Sequence, residues 1–144
     1  AYAHGAALFF PRTTLERAGF LAADFFLYYE ELDWCERIRR AGWQVWVQPL
    51  ARIFHKESLT VEKMGALKTY YLTRNRVWFM RRNFDFTQRV GFQVFLWLVT
   101  VPKNVALYAV RGEWANLRAF LRGATDAEVS SARHEQVKSP VLEV

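Results

Sequence analysis

The spacing of apolar residues changes near residue 60, and that change limits what the chain can build. Before it, apolar runs are short and punctuated by Gly and Pro. Ala6–Phe10 stops at Pro11, Trp43–Gln48 alternates and stops at Pro49, and Ala51–His55 is a third short run, so all three read as strands. Between them Thr13-Thr14-Leu15-Glu16 offers a capping box, with Gly19 to close the short helix it starts. Glu31–Ala41 reads as a second helix: Leu32, Cys35 and Ile38 share a face, Arg39 and Arg40 suit its C-terminal dipole, and Gly42 stops it. Strand, helix, helix, strand, strand is an α/β pattern. From Glu62 onward only helical spacing remains. Met64, Leu67, Tyr71 and Trp78 mark one face through Arg82, Val90–Val110 is strongly apolar with a break expected at Pro102, and Glu113–Leu121 is a last helix closed by Gly123. The polar tail, Thr125–Val144, has no period and is expected to fray. The expected organisation is therefore an α/β part over 1–60, a helical extension over 61–124 and a tail over 125–144.

With 144 residues, 52% hydrophobic, the chain is long enough for a core and is no disordered segment. Twenty Lys and Arg against fourteen Asp and Glu suit an acidic partner, whether nucleic acid, nucleotide diphosphate or anionic membrane. Cys35 is the one cysteine, so no internal disulfide forms. The start, Ala1-Tyr2-Ala3-His4-Gly5, carries no signal-peptide pattern and reads as cut from a longer chain.

The sharpest local feature is Phe25-Phe-Leu-Tyr-Tyr-Glu-Glu-Leu-Asp-Trp34, in which Glu30, Glu31 and Asp33 follow aromatic residues where a loop enters a helix. Negative charge at a helix N-terminus is favourable, so capping accounts for part of the cluster. Crowded carboxylates beside aromatic walls also raise one another's pKa, which is how a general base is tuned. The residue types leave both readings open. Asp33 stands one turn before Arg37, the spacing of an ion pair.

Several blocks in order resemble family 2 glycosyltransferases, closest to the rhamnosyltransferase-like branch that builds bacterial surface polysaccharides. They are Gly5-Ala-Ala-Leu-Phe-Phe-Pro-Arg12, Ala18-Gly-Phe20, Phe26-Leu-Tyr-Tyr-Glu-Glu-Leu-Asp-Trp-Cys-Glu-Arg37, Arg40-Ala-Gly-Trp43, Pro49, His55-Lys-Glu-Ser58 and Tyr70-Tyr-Leu-Thr-Arg-Asn-Arg76. The resemblance spans Gly5 to Arg82. It implies the C-terminal, acceptor-side half of a GT-A (Rossmann-like) domain followed by a helical extension, inactive alone because the Asp-rich metal motif and nucleotide site lie outside it.

The resemblance also implies roles. Glu31 would be the base that deprotonates the acceptor hydroxyl, Glu30 its partner and Asp33 an orienting carboxylate. His55 would complete a site for Mg or Mn, although a lone His at a strand end is commonly structural, and mixed N/O donors suit Mn. Gly5, Trp34, Lys56, Arg74 and Asn75 would face donor or acceptor. Lys56 is otherwise a solvated loop lysine, and Arg74 falls on an apolar helix face where it must either pass the rings into water or meet an anion. The donor would be a nucleotide sugar and the acceptor a saccharide or lipid-linked saccharide, at the inner face of the bacterial cytoplasmic membrane.

Val90–Val110 carries Lys103 as its one charge, with Arg81, Arg82 and Arg89 before it and Arg111, Arg118 and Arg122 after. Three readings fit: peripheral membrane contact through residues 90–122, packing or homo-oligomerisation, or a span, against which Pro102 and Lys103 count. The competing function is a basic, aromatic-rich binding module for membrane or single-stranded nucleic acid. An acidic cluster among the aromatics repels phosphate, so no nucleic-acid partner is expected. Paired carboxylates also serve glycoside hydrolases, but no other block fits one.

Overall fold

The computed structural model describes residues 2–54 and 65–134, with side chains through residue 126. The chain divides into two compact units, Ala1–Met64 and Gly65–Val144.

In the first unit, α1 (Arg12–Ala18) is followed by a 3₁₀ turn (Ala23–Phe25) and by α2 (Glu30–Arg40). The capping box expected at Thr13 does not form. Helix α1 starts two residues earlier than that box requires, behind Pro11, with no side-chain cap, and Glu16 pairs instead with Arg12 at 3.2 Å. Gly19 closes α1 at φ +70°, and Gly42 follows α2 at φ +87°, both left-handed positions that glycine takes without steric penalty. Trp34, Ile38 and Ala18 form the core, with Leu8, Phe10, Trp43 and Val45 half-buried against them.

The expected α/β class is overturned, because every regular element among the described residues is helical and none is a strand. The segments 6–10 and 43–48 and the described part of 51–55 are irregular. Their alternation holds in part: Leu8, Phe10, Trp43 and Val45 turn inward and Phe9 and Trp46 stay exposed, but Ala6 and Val47, in phase with the inward residues, are exposed as well. Alternation sets side-chain faces, however, and a strand also needs a neighbouring backbone to pair its N–H and C=O groups. No such ladder forms among the described residues, so neither the Rossmann-like sheet nor a GT-A half is present in them.

The second unit comprises α3 (Gly65–Asn83), α4 (Phe86–Phe95), a π turn (Leu96–Thr100), α5 (Val101–Val110) and α6 (Trp114–His134). A full capping box starts α4: Asp85 Oδ1 accepts the Gln88 amide at 2.9 Å, and Gln88 Oε1 accepts the Asp85 amide at 3.2 Å. The break expected at Pro102 is absent, and the chain stays helical from Phe86 to Val110. Proline lacks an N–H and crowds the preceding turn, and here the wider π turn directly before it absorbs both defects. The Asn104 side-chain amide supplies a donor to the Thr100 carbonyl, 2.8 Å away.

Helix α6 packs along α3 and runs through Gly123, which the sequence marks as a stop. A Cβ at Gly123 would lie 2.6 Å from the Tyr70 carbonyl oxygen and 3.0 Å from Thr73 Cβ. Glycine therefore stands there for close helix contact rather than for termination. The Tyr70 hydroxyl donates to Asp126 at 3.0 Å across the same pair of helices. Val77 of α3 and Leu96 of the π turn are buried together, with Phe92 and Val101 packed against them.

Candidate functional site

The carboxylates enter α2 through an unusual backbone. Phe26 (φ +61°), Tyr28 (φ +66°) and Tyr29 (φ +74°) all lie in the left-handed region, where bulky side chains crowd the backbone. The Leu27 amide donates to the Phe25 carbonyl at 2.7 Å, closing a tight turn around Phe26, whose ψ is −47°. Each such residue stores on the order of 1–3 kcal/mol of strain, held only where the surroundings enforce it, and strain of this kind clusters at functional sites. Tyr29 is the N-cap residue of α2 yet makes no side-chain cap. Glu30 and Glu31 thus stand at the first two helical positions, where the helix dipole favours negative charge.

The two carboxylates are handled differently. The Gly5 amide donates to Glu31 Oε1 at 3.0 Å, tying the N-terminal segment to α2. A Cβ at Gly5 would run into that same carboxylate, so glycine is what admits the contact. One Glu31 oxygen is oriented in this way. Glu30 instead keeps Oε2 buried with no hydrogen-bond partner among the described residues. Burial pushes the Glu30 carboxyl above its ordinary range, a hydrogen bond to its own backbone opposes the shift, and the neighbouring Glu31 charge adds to it.

Asp33 is fully buried, and its Oδ2 accepts Arg37 Nε at 2.9 Å, the pair its spacing predicts. The Arg37 guanidinium also donates to the carbonyls of Ala18 and, at 2.6 Å, Phe20. The Trp34 indole N–H donates to the Gly19 carbonyl at 2.6 Å, and its ring meets Phe10 edge-on at 4.7 Å. Asp33, through Arg37, and Trp34 therefore fasten the segment after α1 to α2. Trp34, expected at a ligand, is 1% exposed and has its one polar atom engaged within the fold. Arg37 is the residue that sequence reasoning underrated: its spacing from Asp33 shows the ion pair but not the two carbonyls it collects.

An open cleft of about 970 Å³ in the same unit is walled by Phe9, Phe10, Trp34, Ile38, Trp43 and Trp46, and neither Glu30 nor Glu31 lines it.

In the second unit, Arg74 Nε donates to Asn75 Oδ1 at 2.9 Å. Its guanidinium lies 4.8 Å from the Tyr71 ring centre, 5.6 Å from Trp78 and 5.9 Å from Tyr70. Three ring faces receive the charge that the apolar stripe of α3 makes awkward. Asn75 is fully buried.

The expected metal ligand His55 and the expected diphosphate contact Lys56 lie outside the described residues. Among the described residues, no three His, Cys, Asp or Glu side chains converge as a metal-binding set. The Mg or Mn site that the resemblance implies rests on His55, outside the described residues, and no chemical step is derived through a metal.

No protein-family profile and no solved structure matches the chain. The chain is similar to the low-salt glycan biosynthesis hexosyltransferase Agl10 of Haloferax volcanii, with 28% identity over 90 residues, 62% of the chain. The match spans 29% of that protein's length.

Proposed function

We propose that this chain carries the acceptor-activating part of an inverting sugar transferase, with Glu31 as general base. The observation that carries the reading is the held carboxylate. Gly5 fixes one oxygen of Glu31 at the entrance of α2, beside the Glu30 carboxyl and directly after a strained aromatic turn. A positioned base needs one oxygen oriented and a lone pair available for the proton, which this arrangement provides. Similarity to a hexosyltransferase supplies the reaction class.

The Glu31 carboxylate takes the proton of an acceptor hydroxyl as that oxygen bonds to the anomeric carbon of a nucleotide sugar. The bond from that carbon to the diphosphate breaks on the opposite face, and the nucleoside diphosphate leaves with the electron pair. Burial pushes the Glu30 carboxyl above its ordinary range, and the Glu31 charge beside it adds to that shift. The acceptor is a saccharide or lipid-linked saccharide of a surface polysaccharide, met at the cytoplasmic face of the membrane.

The test is nucleoside diphosphate release by the complete gene product, across a panel of nucleotide sugars with saccharide and lipid-linked acceptors. Glu31→Gln is expected to lower turnover by roughly a hundredfold or more while donor affinity is kept. Unchanged turnover would reduce the cluster to helix capping.

A further inference from the structure

The continuous rod from Phe86 to Val110 is 25 residues long, and its most apolar stretch is 6% buried. Phe92, Leu96 and Val101 turn toward Val77 of α3. Val90, Val94, Phe95, Trp97, Leu98 and Val99 are exposed, a run too large and too continuous for the scattered apolar residues of an ordinary surface. Exposed cations follow it along the chain: Lys103 on the rod itself, Arg111 just after it, and Arg118 and Arg122 on α6. Charge is also divided sharply along the sequence. Residues 65–126 hold ten Lys and Arg against three Asp and Glu, whereas residues 2–54 hold six of each sign.

We propose that this face docks on the surface of an anionic lipid bilayer. Its apolar side chains enter the boundary between headgroups and acyl chains, and these Lys and Arg meet lipid phosphates. Trp97 and Trp114, both exposed, suit the headgroup depth at which indole rings settle. Lys103 reaches back to the phosphates along its own methylene stem.

Two other arrangements fit worse. At roughly 37 Å the rod is long enough to cross a hydrocarbon core of about 30 Å. However, it packs on α3, which carries Arg74, Arg76, Arg81 and Arg82, and a crossing would draw those charges toward the bilayer along with Lys103. A second copy would bring one strongly cationic unit against another, with a lysine in the apolar centre where interfaces are depleted of charge.

The test is flotation of the full chain with vesicles of phosphatidylglycerol and phosphatidylcholine, against vesicles of phosphatidylcholine alone. Flotation reads no turnover, so its outcome is separate from that of the Glu31 assignment. The chain is expected to float with the anionic vesicles and to be released by salt. Arg111→Gln and Arg118→Gln should each weaken partitioning roughly fivefold. Leu98→Asp, at a side chain 73% exposed, should abolish it with helicity unchanged by circular dichroism, and Val94→Asp, 52% exposed, gives a second reading at an independent position. The proposal is overturned by absence of flotation, by Leu98→Asp and Val94→Asp variants that float as well as the parent, by resistance to carbonate extraction, or by a dimer that Leu98→Asp dissociates while vesicles bind neither form.

Discussion

At the scale of single residues, the entrance to α2 sets two demands against each other. The backbone of Phe26, Tyr28 and Tyr29 adopts a conformation that glycine takes freely, yet aromatic residues occupy it. Phe26 is exposed, so its ring contributes little burial in return. Phe26→Gly is therefore expected to stabilise the unit by about 1 kcal/mol, read as a shift in denaturant midpoint at constant slope. A loss of stability would mean the turn is not strained. Glu30 gives a pH dependence with a definite sign. Its carboxyl is raised in the fold above its ordinary 4.5, so the folded chain binds this proton more tightly than the unfolded one. Its contribution is most favourable below about pH 4.5 and declines as pH rises through the raised folded value. Glu30→Gln should remove that decline and raise the melting temperature at neutral pH relative to the parent. Equal melting temperatures for parent and variant from pH 4 to pH 8, to within roughly a degree, would mean Glu30 is not desolvated.

The carboxylates themselves were legible, because three acidic residues in four positions after an aromatic run is an unusual composition for a helix start. The left-handed turn before them was not. Nothing in Phe-Leu-Tyr-Tyr signals positive φ, since the residues that ordinarily mark it, Gly and Asn, are absent there. Gly5 was legible only as part of a block of residues. Its reason, an amide aimed at Glu31 where a Cβ would push that side chain aside, lies in a contact across 26 positions of sequence.

At the scale of elements, glycine and proline were identified correctly as punctuation more often than as to which kind. Gly19 and Gly42 do end helices, at positive φ. Gly123 does not: it lies inside α6, where a side chain would meet the backbone of α3. Helix propensity alone predicts that Gly123→Ala stabilises an exposed helix by about 1 kcal/mol. The contact predicts the reverse, because the nearest obstacle is the Tyr70 carbonyl, which cannot swing aside as a side chain can. We expect Gly123→Ala to destabilise the second unit by about 1–3 kcal/mol in urea unfolding, the usual penalty of an overpacked contact. A gain in stability would show that α3 and α6 do not approach so closely. Pro102 is the parallel case in the other direction, since its missing donor is absorbed by a π turn that no local pattern announces.

At the scale of the whole molecule, the two halves of the sequence differ in charge as well as in apolar spacing. Residues 2–54 are balanced and hold the carboxylate pair, while residues 65–126 hold the excess of cations and the exposed apolar rod. The helical character of residues 65–124 was read well, because a period of 3.6 needs no partner chain to satisfy its hydrogen bonds, whereas the tail expected to fray from Thr125 is helical as far as His134. The strands were misread for the complementary reason. Period two sorts inward from outward side chains at 8–10 and 43–46 but fails at Ala6 and Val47, and a strand is in any case a property of two backbones, of which one segment's sequence does not contain the other. The resemblance to family 2 enzymes therefore narrows to what similarity to a hexosyltransferase and the geometry at α2 carry between them.

The central claim is that Glu31, rather than Glu30, receives the acceptor proton. The most direct measurement is turnover of Glu31→Gln and Glu30→Gln side by side in the complete gene product, with donor affinity measured on the same preparations. The account predicts that Glu31→Gln loses roughly a hundredfold or more, with the loss in turnover rather than donor binding, and that Glu30→Gln loses clearly less. The opposite order, or two variants that turn over like the parent, would contradict it.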